Sequence, residues 1–203
     1  MSPKTAPSFG VVILGAGASV RMGRPKLLLP WGETSIIGHI LSQWRKMKAR
    51  QIALVCRRGD KPLAAELRRI RFPTRHCIVN LKPERGMFSS IVCAAKWKGW
   101  EADMTAWIIA LGDQPHLQTA TLRALLVCHR QHPLAVCQPA FGGHRRHPVV
   151  LPRAAFFELR RSDAPNLREF LRKKDFPCIE CPSEDSGLTL DLDFPEDYER
   201  VTP

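Results

Sequence analysis

The sequence turns on one junction. Three consecutive apolar residues, Val11-Val12-Ile13, run straight into Leu14–Lys26, LGAGASVRMGRPK. An uninterrupted apolar run of this length reads as a strand, Phe9–Leu14, covered on both faces, as in a parallel sheet. Gly15 and Gly17 then let the backbone turn tightly and leave its N–H groups unobstructed. Arg21 follows with a fixed fork of donors, and Lys26 with a mobile point charge. A buried strand feeding a glycine loop and two cations is suited to hold an anion. The spacing alone is also that of a tight turn with surface cations.

The rest of the chain alternates in the same way. Ser35–Lys46 reads as a helix, with Ile36, Ile37, Ile40, Leu41 and Trp44 at helical spacing and Thr34 as its N-cap. Gln51–Cys56 reads as a strand, Pro62–Arg69 as a short helix, His76–Val79 as a weaker strand and Phe88–Trp97 as a helix. Ala106–Leu111 is a strongly apolar strand ending in Gly112-Asp113-Gln114-Pro115. Thr119–Arg130 is a helix, Leu134–Pro139 a strand, Gly142-Gly143 a turn and Pro148–Leu151 a short strand. This order predicts a three-layer α/β/α sandwich with a mostly parallel sheet. Ligands of such sheets bind at the carboxyl ends of the strands. The loops 15–26, 80–88 and 112–116 therefore fall on one edge. Residues 140–190 are less regular and read as a subdomain or lid.

At 203 residues, the chain reads as one domain over 1–203, with 1–8 as a frayed tail. Its 44% hydrophobic and 25% charged residues are ordinary for a soluble globular protein. No apolar run is long enough to span a bilayer, and the N-terminus lacks the apolar core of a signal peptide. The seven cysteines are odd in number and several sit inside apolar runs, which predicts free thiols in a reducing cytoplasm. Cys178 and Cys181 form a solitary CxxC, which by itself cannot complete a zinc site. The net charge of +12 fits a solvated surface or a polyanionic substrate. There is no basic tail and no aromatic–basic interleaving, so nucleic acid is not the expected partner.

Two common nucleotide fingerprints are absent. Val20 stands where a dinucleotide-binding motif needs its third glycine, and no Gly-Lys-Ser/Thr follows. Four further segments carry candidate chemistry. Asp113 leaves a buried strand in a Gly-Asp-Gln-Pro turn. Leu188–Asp197 alternates strictly, which predicts a strand with Leu190, Leu192 and Phe194 inward and Asp191 and Asp193 sharing the outer face. Two carboxylates on one face repel unless solvated or bridged by a cation. Gly86, Ser89 and Ser90 make a donor-rich helix start after Asn80. Gly143-His144-Arg145-Arg146-His147-Pro148 clusters bases at a turn.

LGAGASVRMGRPKLLLPWG resembles the signature LAAGxSxRMGxxKLLxxxxG of the MobA-like NTP transferases, the family of the molybdenum-cofactor cytidylyltransferases and guanylyltransferases. The resemblance implies a nucleotide-diphospho-sugar transferase-like fold and a Mg²⁺-dependent nucleotidyltransferase. It implies that the Leu14, Gly15, Ala16, Gly17, Ala18 and Ser19 turn holds a triphosphate, with Arg21 on the β and γ phosphates and Lys26 on the α phosphate. Gly-Asp-Gln-Pro resembles the family's metal motif, which implies Asp113 as a Mg²⁺ ligand and a catalytic residue beside Arg21 and Lys26. Asp191-Leu192-Asp193-Phe194-Pro195-Glu196-Asp197 resembles the family's D-[IL]-D-T-P-E-D, with Phe194 in place of threonine. It implies Asp193 as the second metal carboxylate, with Asp191 as its neighbour.

Asn80, Gly86, Ser89 and Ser90 match a family segment lining the base and ribose. His147-Pro148 matches the end of a G-H-P motif on the acceptor side, with Arg146 replacing glycine. Arg168 matches the end of G-D-x-G-x-R, in which both glycines are missing. The Ala16-Gly17 pair implies CTP. The family then implies molybdopterin as acceptor, for a molybdenum hydroxylase client. The departures around residues 140–190 leave other acceptors open, such as a sugar 1-phosphate. A nucleotide-binding or cofactor-delivery protein without catalysis is the remaining alternative.

Overall fold

A computed structural model describes residues 8–202. Strand β1 (Phe9–Leu14) leads to a small hairpin of β2 (Pro30–Trp31) and β3 (Thr34–Ser35), helix α1 (Ile36–Lys46), β4 (Gln51–Arg57) and α2 (Lys61–Arg69). There follow β5 (Cys77–Asn80), α3 (Met87–Lys96), β6 (Ala106–Leu111) and α4 (Thr119–Gln131). The last part holds β7 (Val136–Phe141), β8 (His144–Arg145), β9 (Val149–Pro152), α5 (Arg153–Glu158), α6 (Leu167–Lys173), β10 (Cys178–Pro182) and α7 (Pro195–Val201).

The main sheet has the order β10-β7-β9-β6-β1-β4-β5, with β8 beside β7. β1 lies parallel between β6 and β4, and β9 runs against both of its neighbours. Alternate residues of the central strands feed two separate cores. Val11 and Ile13 pack with Ile37, Leu41 and Trp44 of α1, Leu63 and Leu67 of α2, and Leu122 and Leu125 of α4. Val12 packs on the opposite face with Ile91 of α3, Phe156 of α5 and Phe170 of α6. Val11, Val12 and Ile13 are all fully buried. Each such side chain contributes about 1.5–3 kcal/mol. The expected three-layer, mostly parallel sandwich is therefore present.

Several local expectations are corrected. Ser35, not Thr34, caps α1: its side chain accepts from Gly38 N at 3.2 Å, because Thr34 is held extended opposite Trp31 in the hairpin. β7 starts at Val136 and leaves Leu134 exposed. Leu188–Asp197 is not a strand. A short 3-10 turn at Ser186–Thr189 is followed by irregular chain that has no ladder partner. Leu192 is buried there, but Leu190 is only partly so and Phe194 is exposed.

Residues 1–7 of the expected tail lie outside the described residues, whereas the Ser8 carbonyl accepts from Thr105 N at 2.9 Å. Within 140–190, β9 and β10 are strands of the main sheet. In β10, Cys178 and Cys181 belong to opposite cores, so this CxxC cannot converge on one metal.

Candidate active site

The parallel strands bring their carboxyl ends to one edge. The register Leu14↔Val55 and Leu14↔Leu111 sets the glycine loop between the ends of β4 and β6. Gly15 N donates to Val55 O at 2.8 Å, and Gly112 N to Leu14 O at 3.0 Å, so the loop's first turn is tied to both neighbours. A β-carbon on Gly112 would sit 2.7 Å from Leu14 O, so only glycine allows this approach. Gly17 meets no such crowding and opens its bare side to solvent space. Ala16 and Met22 are buried and anchor the loop, while Val20 is exposed. Ser19 has a φ of 51°, a left-handed conformation that is uncommon for a residue with a side chain. Its Oγ accepts from Lys26 N at 3.2 Å, which closes the loop on itself.

Four charged residues from three distant segments meet here. Lys26 Nζ donates to Asp193 Oδ1 at 2.6 Å and Asp113 Oδ2 at 3.3 Å. Arg21 NH1 donates to Asp193 Oδ2 at 2.7 Å. The Lys26 side chain is largely buried, while that of Arg21 is mostly exposed. Burial pushes the Asp113 carboxyl up, and Lys26 only partly offsets this; Asp191 pushes in the same direction as burial. Asp193 is held below the ordinary carboxylate range, chiefly by its hydrogen bond from Lys26. Asp193 is fixed from behind, because its N and that of Phe194 donate to Asp197 Oδ2 at 3.1 and 2.9 Å at the start of α7. The exposed Phe194 ring lies 5.9 Å from the Arg21 guanidinium, a cation–π distance that a threonine would not supply.

Among the described residues, no group of three or more His, Cys, Asp or Glu side chains is placed to hold a metal. The pair Asp113 and Asp193 still fits a hard divalent cation. The two carboxylates already converge on one positive charge, the Lys26 ammonium, and Mg²⁺ is commonly held by one or two carboxylates plus substrate phosphates. Asp191 is engaged elsewhere: its Oδ1 accepts from Gln114 Nε2 at 3.0 Å.

The remaining candidates occupy the flanks. Asn80 is buried, and its Nδ2 donates to Ser89 Oγ at 2.8 Å and Ser90 Oγ at 3.0 Å. Its Oδ1 accepts from Lys82 N at 2.9 Å, so the side chain shapes the 80–86 loop from within. Gly86 begins α3 with φ 82° and ψ −179°, a conformation essentially reserved for glycine. A hollow of about 570 Å³ adjoins these residues, but no residue lining it also lines the recesses around Lys26. On the other flank, His147 Nδ1 lies 3.3 Å from Ile109 O, just before β9, beside the end of β6. Burial lowers its pKa, so the imidazole is neutral at pH 7. Arg168 is on the exposed side of α6 and joins no ion pair among the described residues. No hydrogen bond or ion pair among the described residues links it to the Lys26 cluster.

Sequence reasoning missed one wall of the site. Arg57, Arg58 and Asp60, at the end of β4, line a hollow of about 580 Å³ together with Gly17, Ser19, Arg24 and Lys26. The signal was available: β4 is parallel to β1, so its carboxyl end had to reach the same edge.

A glycine loop and a lysine between two carboxylates thus stand together at the carboxyl edge of a three-layer α/β sandwich. The chain belongs to the MobA-like NTP transferase domain family, whose model matches residues 11–185. It is 28% identical to the nicotine blue oxidoreductase of Paenarthrobacter nicotinovorans, over 94% of this chain and 96% of that one. It is 30% identical to the bifunctional protein GlmU of Clavibacter sepedonicus over 62% of its own length. The chain spans about a quarter of the length of these curated GlmU relatives.

Among solved structures, Rv0371c of Mycobacterium tuberculosis H37Rv superposes with a TM-score of 0.72 at 28% identity, covering 98% of each chain. That protein has also been solved as a complex with manganese. A molybdopterin-guanine dinucleotide biosynthesis protein A from Archaeoglobus fulgidus shares the fold, with a TM-score of 0.68 at 17% identity over 95% of this chain and 96% of that one.

Proposed function

We propose that this chain is a Mg²⁺-dependent nucleotidyltransferase that moves CMP from CTP to a phosphorylated acceptor, molybdopterin being the acceptor the family resemblance favours. The observation that carries the reading is Lys26, held between Asp113 and Asp193 at the mouth of the glycine loop. In this reading the Ala16–Ser19 amides hold the triphosphate, Arg21 neutralises its β and γ phosphates, and Lys26 moves from the carboxylates to the α phosphate. A divalent cation held by Asp113 and Asp193 supplies further positive charge to the phosphates when bound.

An acceptor phosphate oxygen forms a new bond to the α-phosphorus. The bond from that phosphorus to the bridging oxygen breaks, and the oxygen leaves with the electron pair as pyrophosphate. An acceptor that is already an anion needs no general base, so the chain acts mainly by positioning and charge stabilisation. The Asn80–Ser90 segment lines the base and ribose side. His147, as a neutral hydrogen-bonding group, and Arg168 belong to the acceptor side, with residues 140–190 completing the single transferase domain. The protein acts in the cytoplasm and serves a molybdenum hydroxylase.

A thermal-shift panel of CTP, GTP, ATP and UTP, with and without Mg²⁺, tests this reading. The expected result is a Mg²⁺-dependent rise in melting temperature, largest for CTP. A ligand at 100 times its dissociation constant adds about 2.7 kcal/mol. No shift with any nucleotide contradicts the assignment. A sugar 1-phosphate that accepts the nucleotide better than molybdopterin would redirect the acceptor alone.

A further inference from the structure

We propose that Arg57 and Arg58 form a diphosphate-binding subsite on the β4 side of the glycine loop, and that it holds the departing pyrophosphate. The inference rests on the nucleotidyl-transfer reading and adds to it where the leaving group goes.

Gly15 N is bonded to Val55 O, so the two residues that follow Cys56 emerge next to the glycine loop. Beyond them the chain turns at Gly59, with a φ of 74°. Neither Gly17 on one wall nor Gly59 on the other places a β-carbon into the space between. That space is the 580 Å³ hollow, and it shares Gly17–Val20 and Lys26 with the 290 Å³ recess that contains Asp113 and Asp193. The loop is thus a partition. Asp113, Asp193 and Arg21 line one side of it, and Arg24, Arg57, Arg58 and Asp60 the other.

Neither Arg57 nor Arg58 has a carboxylate within hydrogen-bond reach among the described residues. Arg50, Arg69, Arg145 and Arg172 each meet a carboxylate at 2.6–2.8 Å. The carboxylate paired with Arg57 is Asp60 at 4.0 Å, beyond hydrogen-bond reach. The Arg57 Nε is buried without a partner. Asp60 is occupied in capping α2, accepting from Leu63 N at 3.1 Å. Arg58 and Arg24 join no ion pair among the described residues, while the Arg24 guanidinium lies 5.7 Å from the Tyr198 ring. Guanidinium forks left without acceptors in a hollow suit a compact polyanion with several equivalent oxygens.

Chemistry asks for such a place. Transfer leaves the nucleotide's α-phosphorus with the acceptor and frees a multiply charged anion. A basin with three arginines and one carboxylate, on the far side of the loop from Asp113 and Asp193, receives that anion away from those two charges.

The test is calorimetric titration of the full chain, with Mg²⁺, using pyrophosphate, inorganic phosphate and CMP as probes. It compares the unaltered protein with Arg57→Gln, Arg58→Gln and the pair. The expected result is a loss of about tenfold or more in pyrophosphate affinity for each variant. Affinities for CMP and inorganic phosphate should change less than twofold. Arg57→Lys and Arg58→Lys, which keep charge but lose the fork, should fall between; they also serve if a Gln variant fails to fold by circular dichroism. Unchanged pyrophosphate affinity in the Gln pair overturns the subsite. An equal loss for inorganic phosphate overturns it in favour of a monophosphate site belonging to the acceptor. If the unaltered chain binds nucleotides but not pyrophosphate, the subsite alone is wrong. If it binds neither, the transferase reading fails first.

Discussion

Lys26 sits where two needs compete. Its ammonium lies 2.6 Å from Asp193 and 3.3 Å from Asp113, and in the proposed function the same ammonium serves the α phosphate. Lys26→Ala should therefore lower turnover by about 10²–10³, measured as pyrophosphate release at saturating nucleotide. Its electrostatic role can be read separately. Lys26 lowers both carboxyl pKa values, against burial at Asp113 and as the leading influence at Asp193.

In Lys26→Met, both carboxyl midpoints should rise in an NMR titration; an unmoved Asp193 midpoint contradicts the contact. The signs for stability differ. Asp193, depressed, contributes stability that is present above its unfolded pKa and lost as pH falls through its folded value. Asp113, raised, opposes folding increasingly as pH rises through its folded value. Losing the ammonium thus weakens the first contribution and deepens the second. Arg21 is different: its pair with Asp193 is largely exposed, and such pairs contribute little to stability.

At the scale of elements, Gly86 shows how local geometry positions a segment. With φ 82° and ψ −179°, it lets the chain turn from the 80–85 loop into α3, which carries Ser89 and Ser90 toward Asn80. Gly86→Ala should cost about 1–3 kcal/mol in urea unfolding, although nothing lies within 4 Å of the added carbon. A stability unchanged within error contradicts this.

The legibility of the sequence followed the same physics. The apolar runs at β1 and β6 and the glycines after them could be read directly, because a strand buried on both faces leaves no polar alternation. The alternation at Leu190–Phe194 misled, because periodicity two records which residues face inward but not whether a neighbouring strand exists. Leu192 is indeed inside, yet Phe194 turns out toward Arg21. Thr34 and Ser35 are both good caps, and only the hairpin register selects Ser35. Arg57 and Arg58 could not be picked out, since a pair of arginines carries no sign of the loop it will face.

Across the whole molecule, the sheet topology lines the candidate residues up along one edge. From β5 to β9 it runs Asn80, Arg57, the glycine loop, Asp113 and His147. The antiparallel β9 is what brings His147 to this edge, since only the start of that strand faces the carboxyl ends of the others. The net charge of +12 favours polyanionic ligands in general, and Arg24, Arg57 and Arg58 line the hollow beside the loop. Among the described residues no helix is long and apolar enough to cross a membrane.

The central claim is that an α-phosphoryl group is transferred. Incubating the chain with Mg²⁺, α-labelled CTP and molybdopterin, and following both label and pyrophosphate, measures it directly. The expected result is label on the acceptor with one pyrophosphate released per transfer, and loss of both signals in Lys26→Ala. Release of inorganic phosphate with the label retained on CDP, or no acceptor labelling with any nucleotide or phosphorylated acceptor, would contradict it.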